Sequence, residues 1–167
     1  MAKFSGRAWK FGDDIDTDQI YPGKYLPLTD KAEMAKHAME GVEGSEKFLK
    51  GVKKGDILVA LKNFGSGSSR EHAAIAIKGA GIDVVIAKSF ARIFYRNCIN
   101  TALPVLELPE ADEIEEGDVL EVDVENGDVF NKTKNKRYKA KPVSGLEMEI
   151  MKAGGLIPYL KLKGGNV

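Results

Sequence analysis

Across 167 residues there is one cysteine, and there are two histidines and one tryptophan; the formal charges cancel, 25 Lys and Arg against 25 Asp and Glu. Each shortage removes a class of function. The single thiol, Cys98, excludes an internal disulfide framework. It also excludes an iron–sulfur cluster held by this chain alone, since such clusters need several thiolates. A balanced charge gives no global attraction to nucleic acid or to an anionic membrane surface. No run approaches the roughly 18 apolar residues of a membrane span, and the opening MAKFSGRAWKFGDD lacks the apolar centre of a secretion signal. The expectation is a soluble, cytoplasmic chain forming one domain over residues 1–167, which at this length buries about two-thirds of its unfolded surface. With no global field to help, its ligand must be selected by a local cluster of residues.

What is present is an α/β rhythm. Phe4 to Gly12 reads as a first strand, and Asp13 to Thr29 as a long loop with two prolines and clustered acids. Asp30 to Met39 has helical spacing, and Val42 to Gly55 continues as a short helix and turn. Ile57 to Leu61, Ile82 to Ala87 and Leu103 to Leu108 read as buried strands. Ser69 to Lys78 and Phe90 to Ile99 are the helices between them, so the centre is a βαβαβ unit. Asp118 to Phe130 alternates around Asn126-Gly127, a pair suited to a type I′ hairpin turn. Ser144 to Glu147 matches a capping box that opens a last helix, stopped by Gly154-Gly155.

The chemistry is concentrated in the strand-to-helix turn NFGSGSSREHA, Asn63 to Ala73. It lacks the Gly-Lys-Ser/Thr of a P-loop, the third glycine of a dinucleotide fingerprint and the spacing of a hydrolase elbow. Two readings of its residues stay open. In one, Gly65 and Gly67 admit close approach, the amides of the first helical turn point outward and Arg70 offers a fork to a carboxylate, making an anion site. In the other, Ser68-Ser69-Arg70-Glu71 is a structural capping box and His72 a packed histidine. Asp14, Asp16 and Asp18 imitate the start of a calcium loop, but Gln19 and Tyr25 stand where glycine and a bidentate Glu are needed.

NFGSGSSREHA resembles the signature turn of the aconitase superfamily, in its swivelling domain. GDDIDTDQIYPG (Gly12 to Gly23) resembles the acidic Thr-Asp loop that opens that domain, and AKSFARIFYRNCINTALPVLEL (Ala87 to Leu108) its third hallmark segment. The resemblance implies a three-layer α/β swivelling domain with a mostly parallel central sheet, flanking helices and additional hairpin strands. A free-standing domain of this kind resembles the small subunits of the superfamily's two-chain hydro-lyases, which act on isopropylmalate or homocitrate. A separate large subunit then carries the four-iron four-sulfur cluster. The implied reaction is loss and return of water: a proton leaves the carbon beside a carboxylate while iron takes the hydroxyl. Carried over position by position, Ser68 is the base, Arg70 grips the substrate carboxylate, Ser69 and Gly67 supply backbone contacts, and Thr17 and Asp18 form the catalytic Thr-Asp pair. One departure is Ser66, where relatives commonly have cysteine.

Lys24 to Thr29 occupies the segment that separates substrates in this superfamily. Homocitrate-type chains place an arginine there, whereas here Leu26, Pro27 and Leu28 offer apolar surface suited to an isopropyl group, with Lys24 beside them. Each buried methylene contributes about 0.8 kcal/mol. The expected substrate is therefore isopropylmalate. The alternatives are homocitrate, both substrates, or a non-catalytic module holding a small anion at Ser68 and Arg70.

Overall fold

Strand β1 (Lys3–Lys10) divides its length between two partners in the computed structural model, which describes residues 3–164. Its second half, Ala8 to Lys10, pairs in parallel with β2 (Ile57–Ala60), and its first half, Lys3 to Arg7, pairs antiparallel with β5 (Val119–Asp123). β1 thus joins a parallel half, continued by β3 (Val84–Ala87) and β4 (Val105–Glu107), to an antiparallel half, continued by β6 (Asp128–Asn131) and β7 (Lys136–Lys139). The result is one seven-stranded sheet in the order β4-β3-β2-β1-β5-β6-β7. The α/β class with added hairpin strands is as expected, and the hairpin strands extend the same sheet.

Every residue of β2 and β3 is buried, as near-continuous Val, Ile, Leu and Ala runs require when both faces of a parallel sheet are covered. Helices α2 (Lys31–Ala35), α4 (Glu71–Gly79), α5 (Arg92–Asn100), α6 (Gly145–Lys152) and α7 (Leu156–Leu162) pack in succession against one another. A 3₁₀ turn at Ala111–Glu113 packs on β2. Helix α3 (Glu46–Gly51) seats Phe48 edge-on against both Trp9 and Phe11, at 5.5 Å from each ring. Trp9 in turn donates from Nε1 to the buried Asp56 at 2.8 Å. Among the described residues no helix is long and apolar enough to cross a membrane.

Four expectations are corrected. The stretch Asp13 to Thr29 contains a short helix, α1 (Thr17–Ile20), and a 3₁₀ turn (Gly23–Tyr25). At the hairpin only Gly127 has positive φ, at 82°. The connection is therefore a four-residue loop, Val124 to Gly127, closed by the Asp123 carboxylate accepting from the amides of Glu125 and Asn126. Neither proposed capping box forms: α4 is capped at Arg70 and α6 at Ser144, each without a side-chain cap bond. The chain also continues past Gly154-Gly155 into α7, which the double glycine concealed.

Beyond the strands, the loops keep pairing. Phe64 bridges Phe90 in parallel, with Phe64 N donating to Ser89 O at 3.0 Å and Ala91 N to Phe64 O at 3.0 Å. Phe64 packs edge-on to Phe94 of α5 at 5.2 Å. Gly65 has φ of 88°, and a Cβ there would lie 2.2 Å from the Phe94 ring. Gly65→Ala is expected to destabilise the chain by about 2–5 kcal/mol, combining an overpacking cost with a left-handed backbone cost. Denaturant unfolding of the purified variant measures this, and a loss below about 1 kcal/mol would show that α5 yields instead.

Candidate active site

Parallel strands deliver their following loops to one end of a sheet, the end where α/β proteins place ligands. At that end the loop after β1 and the turn after β2 lie side by side. Asp16 bridges Ser66 in parallel; Gly65 N donates to Ile15 O and Thr17 N to Ser66 O, both at 2.8 Å. Helix α1 starts here because Asp16 and Gln19 form a reciprocal capping box: Gln19 N donates to Asp16 Oδ1 at 2.8 Å and Asp16 N to Gln19 Oε1 at 2.9 Å. That Asp-x-x-Gln pattern was the sequence signal for a helix inside the loop.

This lashing brings the two halves of the site together. Thr17, 3 % exposed, donates from Oγ1 to the Ser68 carbonyl at 3.0 Å, and its oxygen lies 3.4 Å from Ser68 Oγ. Arg70 donates from Nη1 to Asp18 Oδ1 at 2.8 Å and to the Tyr21 carbonyl at 3.2 Å. The Gly23 amide also donates to Asp18 Oδ1, at 2.9 Å. Arg70 N donates to Ser68 O at 2.9 Å, an i to i+2 closure that puts Ser69 at the tip of a tight turn. The serines are occupied in shaping this turn, so they do not cap α4. Gly67, Ser68 and Ser69 are exposed.

The aspartates that imitated a calcium loop perform separate tasks: Asp14 accepts from Asn63 Nδ2, Asp16 caps α1 and Asp18 engages Arg70. Among the described residues no group of three or more His, Cys, Asp or Glu is arranged to hold a metal ion. Cys98 is buried and its thiol is pushed well up by desolvation, far from a ligand's thiolate state.

Gly23, immediately before the Lys24 to Thr29 segment, lies against Arg70. A side chain at Gly23 would touch the Arg70 guanidinium at 3.4 Å. Leu26 is 36 % exposed, whereas Leu28 packs against the core, so of the two leucines it is Leu26 that presents surface. Lys24 Nζ lies over the Tyr25 ring, 5.2 Å from its centroid. Tyr21 is the residue that sequence reasoning missed. Its carbonyl receives Arg70, its hydroxyl donates to Tyr25 O at 2.6 Å, and its ring stacks on His72 at 5.6 Å. A groove of about 870 Å³, lined by Gly81, Asp83, Leu103 and Met148, lies at the opposite end of the parallel strands.

Arg70, followed by the Gly23 amide, holds the Asp18 carboxyl below the usual carboxylate range. A depressed carboxyl stabilises the fold at pH above its ordinary value of 3.8, and that contribution disappears as pH falls through the lower folded-state value. The carboxyl carbon of Asp18, followed by NMR, is expected to titrate below that ordinary value and to return toward it in Arg70→Ala. A midpoint that Arg70→Ala leaves in place would show that the pair does not set it.

Residues 7–111 match the family described as the aconitase C-terminal domain. The chain is 59 % identical over 162 residues to the 3-isopropylmalate dehydratase small subunit of Aquifex aeolicus, covering 96 % of each. It is 56 % identical to 3-isopropylmalate dehydratase small subunit 1 of Archaeoglobus fulgidus, over 93 % of this chain and 96 % of the relative. It also superimposes on the crystal structure of 3-isopropylmalate dehydratase from Methanocaldococcus jannaschii with a TM-score of 0.92 and 53 % identity, covering 97 % of this chain and 95 % of that one.

Proposed function

The chain belongs to the aconitase C-terminal domain family, among its 3-isopropylmalate dehydratase small subunits, and from this we propose that it interconverts 2- and 3-isopropylmalate with a separate large chain. The reaction is loss and return of water, a hydro-lyase step of leucine biosynthesis in the cytoplasm. The observation that carries this reading is the pairing of Thr17 with Ser68 and of Asp18 with Arg70 on two loops fastened by backbone bonds.

Ser68, exposed on the turn, acts as an alkoxide stabilised by Arg70 and the first-turn amides of α4: its Oγ takes the proton from the carbon beside the substrate carboxylate and becomes a hydroxyl again. The Thr17 hydroxyl is its nearest side-chain partner, and Thr17 also fixes the Ser68 carbonyl. Both bonds from the Arg70 side chain leave through Nη1. A guanidinium has five N–H groups, so Nη2 and Nε remain to receive a substrate carboxylate as a fork. Asp18 is a positioning residue in this scheme: it aims Arg70 while accepting from Gly23. Gly67 leaves room for substrate at the turn, and Ser69 contributes backbone at its tip. One cysteine cannot supply the several thiolates of an iron–sulfur cluster, and in this reading the four-iron four-sulfur cluster is assigned to the large chain. When bound there it supplies the Lewis acid.

In the enzyme reconstituted with its large chain, Ser68→Ala is expected to lower kcat by at least about a hundredfold with little change in KM. Arg70→Lys is expected mainly to raise KM, because an ammonium cannot replace the fork. Steady-state kinetics on 3-isopropylmalate reads both, and near-normal kcat in Ser68→Ala would remove the serine from the base role.

Leu26 presents apolar surface in the segment that follows Gly23, and this supports the isopropyl tail over a carboxylate tail. Pro27→Arg is expected to lower kcat/KM for isopropylmalate and raise it for homoisocitrate, because a buried guanidinium needs a carboxylate partner. An unchanged ratio in a folded variant would show that this segment does not read the tail.

A further inference from the structure

The segment that reads the tail has no regular structure of its own beyond one 3₁₀ turn, yet it is held from outside by a second group of residues. The Tyr25 ring stacks on His37 with centroids 3.6 Å apart and planes 12° from parallel. His37 Nδ1 lies 2.9 Å from Glu40 Oε1. Glu40 thus holds the ring on which Tyr25 stacks, and the nearby carboxylate, ahead of partial burial, pushes the Tyr25 phenol up. Partial burial works to raise the Glu40 carboxyl, but the Tyr25 hydroxyl and His37 outweigh it and hold the group lowered. Lys24 then lies over the outer part of the same tyrosine.

The platform under this cluster is rigid. Met39, fully buried between His37 and Glu40 in sequence, adopts φ of 62°, a left-handed conformation costly for a side chain of that size. It is kept there by backbone bonds to α1: Met39 N to Ile20 O at 2.7 Å and Gly41 N to Gln19 O at 2.9 Å. Strain retained in this way accompanies positions whose geometry is used. The other end of the segment is tied to the carboxylate grip, because Tyr21 donates to Tyr25 O and receives Arg70 on its own carbonyl.

We propose that Glu40 and His37 are positioning residues for tail selection, clamping Tyr25 so that Lys24 and Leu26 stand at a fixed distance from Arg70. The inference rests on the isopropylmalate reading and deepens it. Neither residue touches substrate; each acts through Tyr25. The clamp makes the segment a ready-formed wall rather than one ordered by the ligand, and preorganisation of that kind appears as affinity for the part of the substrate the wall meets.

The test uses the reconstituted two-chain enzyme and two alkylmalates, 3-isopropylmalate and 3-methylmalate. His37→Ala removes the ring on which Tyr25 stacks; Glu40→Gln removes the carboxylate that holds that ring. Each is expected to lower the isopropyl-over-methyl ratio of kcat/KM by roughly three- to tenfold, the worth of one aromatic stack or hydrogen bond, through KM more than kcat. The double variant should be no worse than the poorer single, since both act through the same stack. A purely structural role would reduce turnover of both substrates alike and leave the ratio in place, which overturns the proposal. Glu40→Gln keeps the size of the side chain and decides the matter even where His37→Ala does not fold. A wild-type pair that turns over neither substrate would instead defeat the isopropylmalate reading itself.

Discussion

The site depends on one constraint, the fastening of the loop after β1 to the turn after β2 by backbone hydrogen bonds. The bonds Gly65 N to Ile15 O and Thr17 N to Ser66 O extend the parallel pairing of the sheet past its regular end. They hold in register two segments about fifty residues apart, so that Thr17 meets Ser68 and Asp18 meets Arg70. Side-chain contacts alone would not do this. An exposed ion pair between flexible side chains is weak and screened, whereas main-chain bonds between buried or half-buried residues fix both direction and distance. The aromatic packing of Phe64 on Phe94 anchors the same turn from beneath.

From that fastening follows a division of tasks in which each polar group is shaped by another polar group rather than by a cavity. Asp18 aims Arg70, Thr17 fixes the Ser68 carbonyl, and Tyr21 joins Arg70 to the Lys24 to Thr29 segment. The assembled face is open: Ser68, Ser69 and Asp18 all reach solvent. In water such charges interact weakly, and the same groups become strong once a second surface covers them and lowers the local dielectric. An open half-site on a rigid sheet end is therefore the form expected of a chain that completes its chemistry by docking onto another.

The alternating elements of the α/β half were legible because their signal is local. Ile57 to Leu61 and Ile82 to Ala87 are apolar runs of strand length, and the intervening helix is rich in Ala and Ile; the strands form at those places, trimmed by a residue or two. Where the readings failed, a local pattern competed with a distant partner. Ser68 and Ser69 had the chemistry of a helix cap, but Thr17 and the tight turn at Ser69 engaged that backbone first, leaving Arg70 at the helix start. Asn126-Gly127 had the composition of a two-residue turn, but the Asp123 carboxylate drew the neighbouring amides into a longer loop.

By itself the sequence determined which residue types sit in the signature turn and the acidic loop, and hence the chemistry available: hydroxyls, a guanidinium, a carboxylate and an apolar segment in an otherwise neutral chain. It could not determine which of these would touch. Only the tertiary structure decided that Asp18 holds Arg70, that Leu28 packs inward while Leu26 faces out, and that Tyr25 stacks on a His37 ring held by Glu40. The physical reason is that composition and periodicity follow from neighbours along the chain, whereas these contacts arise where a parallel sheet delivers separate loops to a common end.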